Sequence, residues 1–182
     1  MRERDRNRSE MPWHVVVAVE DVPETGKHMT LVADAETRLA IARMAGLREL
    51  PRLEADFDLL RQGTGGLRLT GRVSATVGQN CVVSLEPLAN EIEENVDLLY
   101  MPAAAVAATD GETPAEPKWD DPEPLIGGTV DLGALATEFV ILGIDPYPRK
   151  PGAVFELAHE QKPEPGPFAA LAGLMKDHDG RH

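Results

Sequence analysis

The chain has 182 residues, 42% hydrophobic and 4% aromatic, with a formal net charge of −13. That supplies a core for one domain, but little aromatic material for stacking on bases and no overall attraction to phosphate. Its single cysteine, Cys81, excludes an internal disulfide and a CxxC metal pair.

The charge is unevenly placed. Residues 1–80 carry twelve basic and twelve acidic side chains, whereas residues 86–123 carry eleven acidic and one basic. Direct contact with nucleic acid would therefore have to use the first half. The opening residues 1–11 are charged, lack an apolar stretch behind them, and read as a flexible N-terminus. The longest apolar runs, VVVAV and FVILGI, are too short to span a bilayer. The expectation is a soluble, cytoplasmic protein.

Residues 13–20, WHVVVAVE, are rich in β-branched side chains and predict a strand, broken by VPETG. Leu39, Ile41, Ala42 and Met44 predict a helix over about 34–44, with Asp34 or Ala35 near its start and Gly46 ending it. Alternation then dominates. Leu53, Ala55, Phe57 and Leu59 fall on one side of a strand, and Arg52, Glu54, Asp56 and Asp58 on the other. After the glycine-rich turn, Leu67, Leu69, Val73, Ala75 and Val77 face in, while Arg68, Thr70, Arg72, Ser74 and Thr76 face out. Matching the inward sets across Gly63-Thr64-Gly65 predicts a three-residue hairpin loop that sets Asp56 opposite Arg72 and Asp58 opposite Thr70. A third strand, about 89–100, would complete an antiparallel meander over 48–100.

Residues 102–128 hold five prolines and an acidic excess and predict a mobile loop, with Trp119 as an anchor to the body. Asp131 then caps a helix carrying Leu132, Leu135, Phe139 and Leu142, with Gly143 as its C′ residue. Beyond it, Asp145-Pro146-Tyr147-Pro148-Arg149-Lys150-Pro151 reads as a stiff surface strap. The tail, 158–182, carries Phe168, Leu171, Leu174 and Met175 at helical spacing behind Pro167 and predicts a short amphipathic helix. The fold class is α+β: an antiparallel meander, as a partly closed, barrel-like sheet, packed by two or three helices in a single domain over 12–157.

Catalytic patterns are weak. Cys81 could act as a nucleophile with His14 or His28 as base, but no orienting carboxylate or oxyanion turn accompanies it. A small buried cysteine is the better reading. His159, His178 and His182 form no rigid metal pair, and Asp120, Asp121 and Glu123 read as solvated charge. Glu138 lacks a second carboxylate, and GTGG at 63–66 sits in a hairpin with no helix behind it. No cofactor, metal site or catalytic residue is expected.

Two stretches together carry a resemblance. GRVSATVGQNCVVSLEPLANEI (71–92), with Cys81, Leu85 and Pro87, is similar to the strand, cysteine, bend and Leu-x-Pro pattern of the YceD family, the large ribosomal RNA subunit accumulation proteins. VDLGALATEFVILGIDPYPRKPG (130–152), with Asp131, Leu132, Glu138, Leu142 and Pro148 at matching positions, resembles the second hallmark of that family. The likeness covers roughly 12–156. Ser84 and Val83 stand where relatives often have a second cysteine preceded by an arginine, and the cysteines that some relatives carry near the C-terminus are missing. A zinc or redox role suggested for such relatives is therefore not carried over.

The resemblance implies a non-enzymatic factor in synthesis, processing or accumulation of large-subunit (23S) ribosomal RNA, closed by the 131–143 helix and its strap. The charge pattern favours a basic ribosomal protein as partner over an rRNA precursor, through Glu91, Glu93, Glu94 and Asp97, with Arg149 and Lys150 as a further contact. An enzyme acting on RNA or a small molecule is the alternative. It would need clustered titratable groups.

Overall fold

The computed structural model describes residues 11–103 and 122–154. The expected N-terminal segment up to residue 10, Trp119 with most of the acidic loop, and the tail helix at 168–176 lie outside the described residues.

The described chain is α+β. Strand β1 (Val16–Ala18) runs into a 3₁₀ turn, Val19–Asp21, followed by β2 (Lys27–Val32) and helix α1 (Ala35–Met44). Three long strands come next: β3 (Glu49–Gln62), β4 (Gly66–Asn80) and β5 (Pro87–Pro102). Short β6 (Glu123–Leu125) and β7 (Thr129–Asp131) lead into helix α2 (Leu132–Gly143). The main sheet has the order β2-β3-β4-β5-β6, and β1 pairs with β7 in a separate two-stranded sheet. Pairing within the main sheet is antiparallel except for parallel β5–β6. With β2 and β6 at its two edges, the sheet is open. The barrel-like closure expected from the sequence does not occur.

The β3–β4 hairpin forms in the expected register, with Asp56 opposite Arg72 and Gln62 opposite Gly66. Its three-residue loop works because Gly63 and Gly65 take φ of +50° and +82°, left-handed values that strain other residues. Phe57 is fully buried opposite Gly71, where an added Cβ would overlap the Asp56 carbonyl and come within 2.8 Å of the Phe57 ring. Gly71 is therefore the space into which the largest fully buried side chain of the sheet settles. The inward alternation continues through Val73, Ala75 and Val77 to Ile92 and Val96 on β5. Each fully buried Leu, Val, Ile or Phe contributes about 1.5–3 kcal/mol.

Three expectations are corrected. The strand predicted over 13–20 shortens to Val16–Ala18 and pairs with β7, because Val19–Asp21 turns away. Strand β2, unforeseen, pairs along β3 with Lys27, Met29 and Leu31 on the inner side and His28, Thr30 and Val32 on the outer. An exposed Val32 and an inward Lys27 blur that alternation. Within 102–128, expected as loop, Glu123–Leu125 forms a strand. The two described helices hold as expected at their N-termini: Asp34 accepts from the Thr37 N–H at 2.8 Å and Asp131 from the Ala134 N–H at 3.2 Å. Gly46, at φ +66°, follows the end of α1.

Gly143 is not the left-handed C′ residue the sequence suggested. It is the last residue of α2, and an added Cβ would lie 2.6 Å from Ile92 Cγ2 and 2.9 Å from Glu94 Oε1. Its function is close packing of the helix end on β5. Upstream, Leu132 through Thr137 are all buried; the Thr137 hydroxyl donates to the Gly133 carbonyl at 2.9 Å.

Candidate functional site

Two regions collect the residues singled out from the sequence. The first is the outer face of the main sheet. Alternation sends Arg52, Glu54, Asp56 and Asp58 on β3, Arg68 and Arg72 on β4, and Glu91, Glu93 and Asp97 on β5 away from the core. Six carboxylates thus face three guanidinium groups. Each arginine lies against a carboxylate: Arg52 with Glu91 at 2.7 Å, Arg68 with Asp97 at 2.8 Å, and Arg72 with Glu93 at 3.9 Å. Asp56, although opposite Arg72, instead accepts from the Thr30 hydroxyl at 2.7 Å. The expected register is right, and the expected Asp56–Arg72 charge pair is replaced by these two contacts. Glu91 also accepts from Thr76, and this bond, ahead of Arg52, holds its carboxyl below the usual carboxylate range.

Glu94 does not join this face. It lies opposite Val73 on the inner side, at the end of α2. The four carboxylates chosen from sequence as one contact set divide three to one across the sheet, because residues 93 and 94 are neighbours on a strand.

The second region is the place where the two motif stretches meet. The turn after β4 is closed by Cys81 N–H to the Glu86 carbonyl and Leu85 N–H to the Cys81 carbonyl, both 2.9 Å. The strap docks on this turn. Val82 N–H donates to the Pro148 carbonyl at 2.9 Å, the Gln79 amide to the Asp145 carbonyl at 2.8 Å, and Lys150 Nζ reaches Glu86 at 2.9 Å. Pro148 is buried here, and Pro87 opens β5 beside the turn. Arg149 is exposed.

Cys81 sits buried at the centre. Its sulfur accepts N–H groups from Lys150 and Ser84, each at 3.4 Å. These donors, the Lys150 amide first, hold the thiol down to about 6 against the opposing effect of burial. The donor set does not fit a metal: the sulfur faces N–H groups, and among the described residues no three His, Cys, Asp or Glu side chains converge.

The Cys81 sulfur bonds to the Ser84 and Lys150 N–H groups and to neither histidine. His28 pairs with Asp58 at 2.8 Å, and His14 with Asp131 at 2.6 Å. Asp131 does more than cap α2. It also accepts the Val15 N–H at 2.9 Å and so ties β1 to the helix. Burial pushes its carboxyl up, but His14 and the Val15 and Ala134 amides together bring it below the usual range. Nothing in the sequence pairs residue 14 with residue 131; the link exists because β1 and β7 are neighbours.

Leu85 and Leu142 are unusual. Leu85 takes φ +60°, a conformation that costs a non-glycine residue roughly 1–2 kcal/mol, and is 75% exposed. Leu142, expected on the packed stripe of α2, is 78% exposed, while Leu132 and Leu135 are buried. Glu138 is half-buried on the same helix.

Comparison with protein families matches residues 69–175 to the large ribosomal RNA subunit accumulation protein YceD. The match spans more than half of the chain, both motif stretches included, and the chain belongs to that family. Comparison with curated proteins and with solved structures returns no match. Among the described residues, no helix is long and apolar enough to cross a membrane.

Proposed function

We propose that this YceD-family chain supports the accumulation of large-subunit ribosomal RNA as a binding factor, without chemistry of its own. On this reading its outer sheet face holds a basic ribosomal protein, which places it in the cytoplasm. One observation carries the choice of partner: carboxylates outnumber guanidinium groups two to one on that face, and every guanidinium is already against a carboxylate. A lysine- or arginine-rich polypeptide meets surplus negative charge there, which speeds encounter and fixes orientation. A phosphate backbone would meet arginines already neutralised. The alternative of an enzyme draws no support from the placement of Cys81, which is buried and whose sulfur bonds to the Ser84 and Lys150 N–H groups and not to His14 or His28.

Complementation tests this. In cells lacking the protein, large-subunit rRNA should fall relative to small-subunit rRNA, and the native chain should restore it. The triple variant Glu91→Gln/Glu93→Gln/Asp97→Asn should fail to restore it, whereas Arg68→Gln/Arg72→Gln should succeed. The reverse pattern would make the arginines essential and identify a direct contact with the rRNA precursor.

A further inference from the structure

We infer that the turn–strap junction is an apolar docking site and that its occupant is the C-terminal segment 167–175 of the same chain. Val82 N–H is bonded to the Pro148 carbonyl, so the exposed side chains of Val82 (44%), Leu85 (75%) and Tyr147 (74%) stand on two segments held side by side. Leu142 stands just before them, three residues ahead of the Asp145 that receives the Gln79 amide. Leu85 is the telling member. A left-handed turn position suits glycine, and a leucine there, with its side chain in water, gains nothing from the packing around it. Strain and exposure at one residue make sense when something apolar covers it.

The occupant follows from where the chain leaves. The strap ends in a turn, Ala153 N–H to the Lys150 carbonyl, and the described structure stops at Val154, four residues after the Lys150 amide that bonds Cys81. Twenty-eight residues follow. Among them Phe168, Leu171, Leu174 and Met175 form the only apolar cluster at helical spacing. Thirteen residues separate Val154 from Phe168, a tether that sets an effective concentration of about 1 mM. A contact of only about 0.1 mM affinity would then be closed about tenfold more than open, so a separate partner has to displace the tail before it can use this surface.

Amide hydrogen exchange on the full chain, followed at several protein concentrations, tests the assignment. In the native chain the amides of 168–175 should exchange about tenfold more slowly than an unstructured segment, independently of concentration. Leu171→Asp should abolish that protection and speed exchange at 82–86. Leu85→Gly should abolish it as well while leaving the thermal midpoint equal or higher, because glycine takes the turn conformation without strain. That combination separates docking from folding. An unprotected tail in the native chain, or protection that survives Leu85→Gly, would overturn the proposal. Protection that grows with concentration would put a second copy on the patch and overturn it too. None of these readouts requires RNA or a ribosomal protein.

Discussion

The β3–β4–β5 meander and the Cys81 junction are held by different physics. In the meander, side chains decide: a two-residue alternation buries Leu53, Ala55, Phe57 and Leu59 and turns Arg52, Glu54, Asp56 and Asp58 to water. At the junction, backbone decides: amides of Val82, Ser84 and Lys150 find a carbonyl and a sulfur, with the Gln79 amide, the Ser84–Glu86 hydroxyl bond and the Lys150–Glu86 pair added from side chains. Substitutions of the buried side chains in the meander should therefore be severe and insensitive to pH. Loss of the junction sulfur should have an effect that depends on it.

The largest effect should come from Phe57→Ala, a fully buried ring, at about 3–5 kcal/mol. Gly71→Ala should follow at about 1–3 kcal/mol from overpacking against the same ring. Chemical denaturation measures both, and a near-neutral Gly71→Ala would break the account of Phe57.

Asp131→Ala should cost about 2 kcal/mol, since the cap of α2 and the Val15 amide lose their acceptor together. Because the Asp131 pKa is depressed in the fold, its contribution is present above its ordinary value of 3.8 and lost as pH falls through the lowered one. The native chain and the variant should converge in strong acid.

Cys81→Ser sharpens the comparison further. With the folded thiol held to about 6 against an ordinary 9.0, its contribution is complete above pH 9 and lost as pH falls toward 6. The stability gap between the native chain and the serine variant should widen from pH 6 to pH 9. A constant gap would mean the sulfur stays protonated and acts by packing alone. The smallest effect belongs to Arg72→Ala, an exposed pair with Glu93 at 3.9 Å, at roughly 0–1 kcal/mol.

The same contrast explains what was legible in the sequence. The meander, its register and the N-cap of α2 could be read because alternation and capping are local rules: Asp56 opposite Arg72 followed from matching apolar sets, and Asp131 from its position before an apolar period. The β1–β7 pairing, the His14–Asp131 bond and the strap on Cys81 could not, because backbone groups far apart in sequence carry no mark of their partner. Glu94 was grouped with Glu91 and Glu93 from charge density, and the pleat separated them. Leu142 was assigned to the packed stripe from helical spacing, but in the last turn of α2 Val140 and Gly143 face the core and leave Leu142 outside.

The central claim, that the outer carboxylates hold a basic protein, is tested most directly by co-purification from cells before and after RNase treatment. The full-length chain should be compared with the Glu91→Gln/Glu93→Gln/Asp97→Asn variant. A basic large-subunit protein should stay bound to the native chain after RNase. It should be lost with the triple variant and be released as salt is raised past the point where the Debye length falls to about 8 Å. The variant Glu94→Gln should retain it, because that side chain lies on the other face. Capture that disappears with RNase, or that the triple variant leaves intact, would contradict the claim.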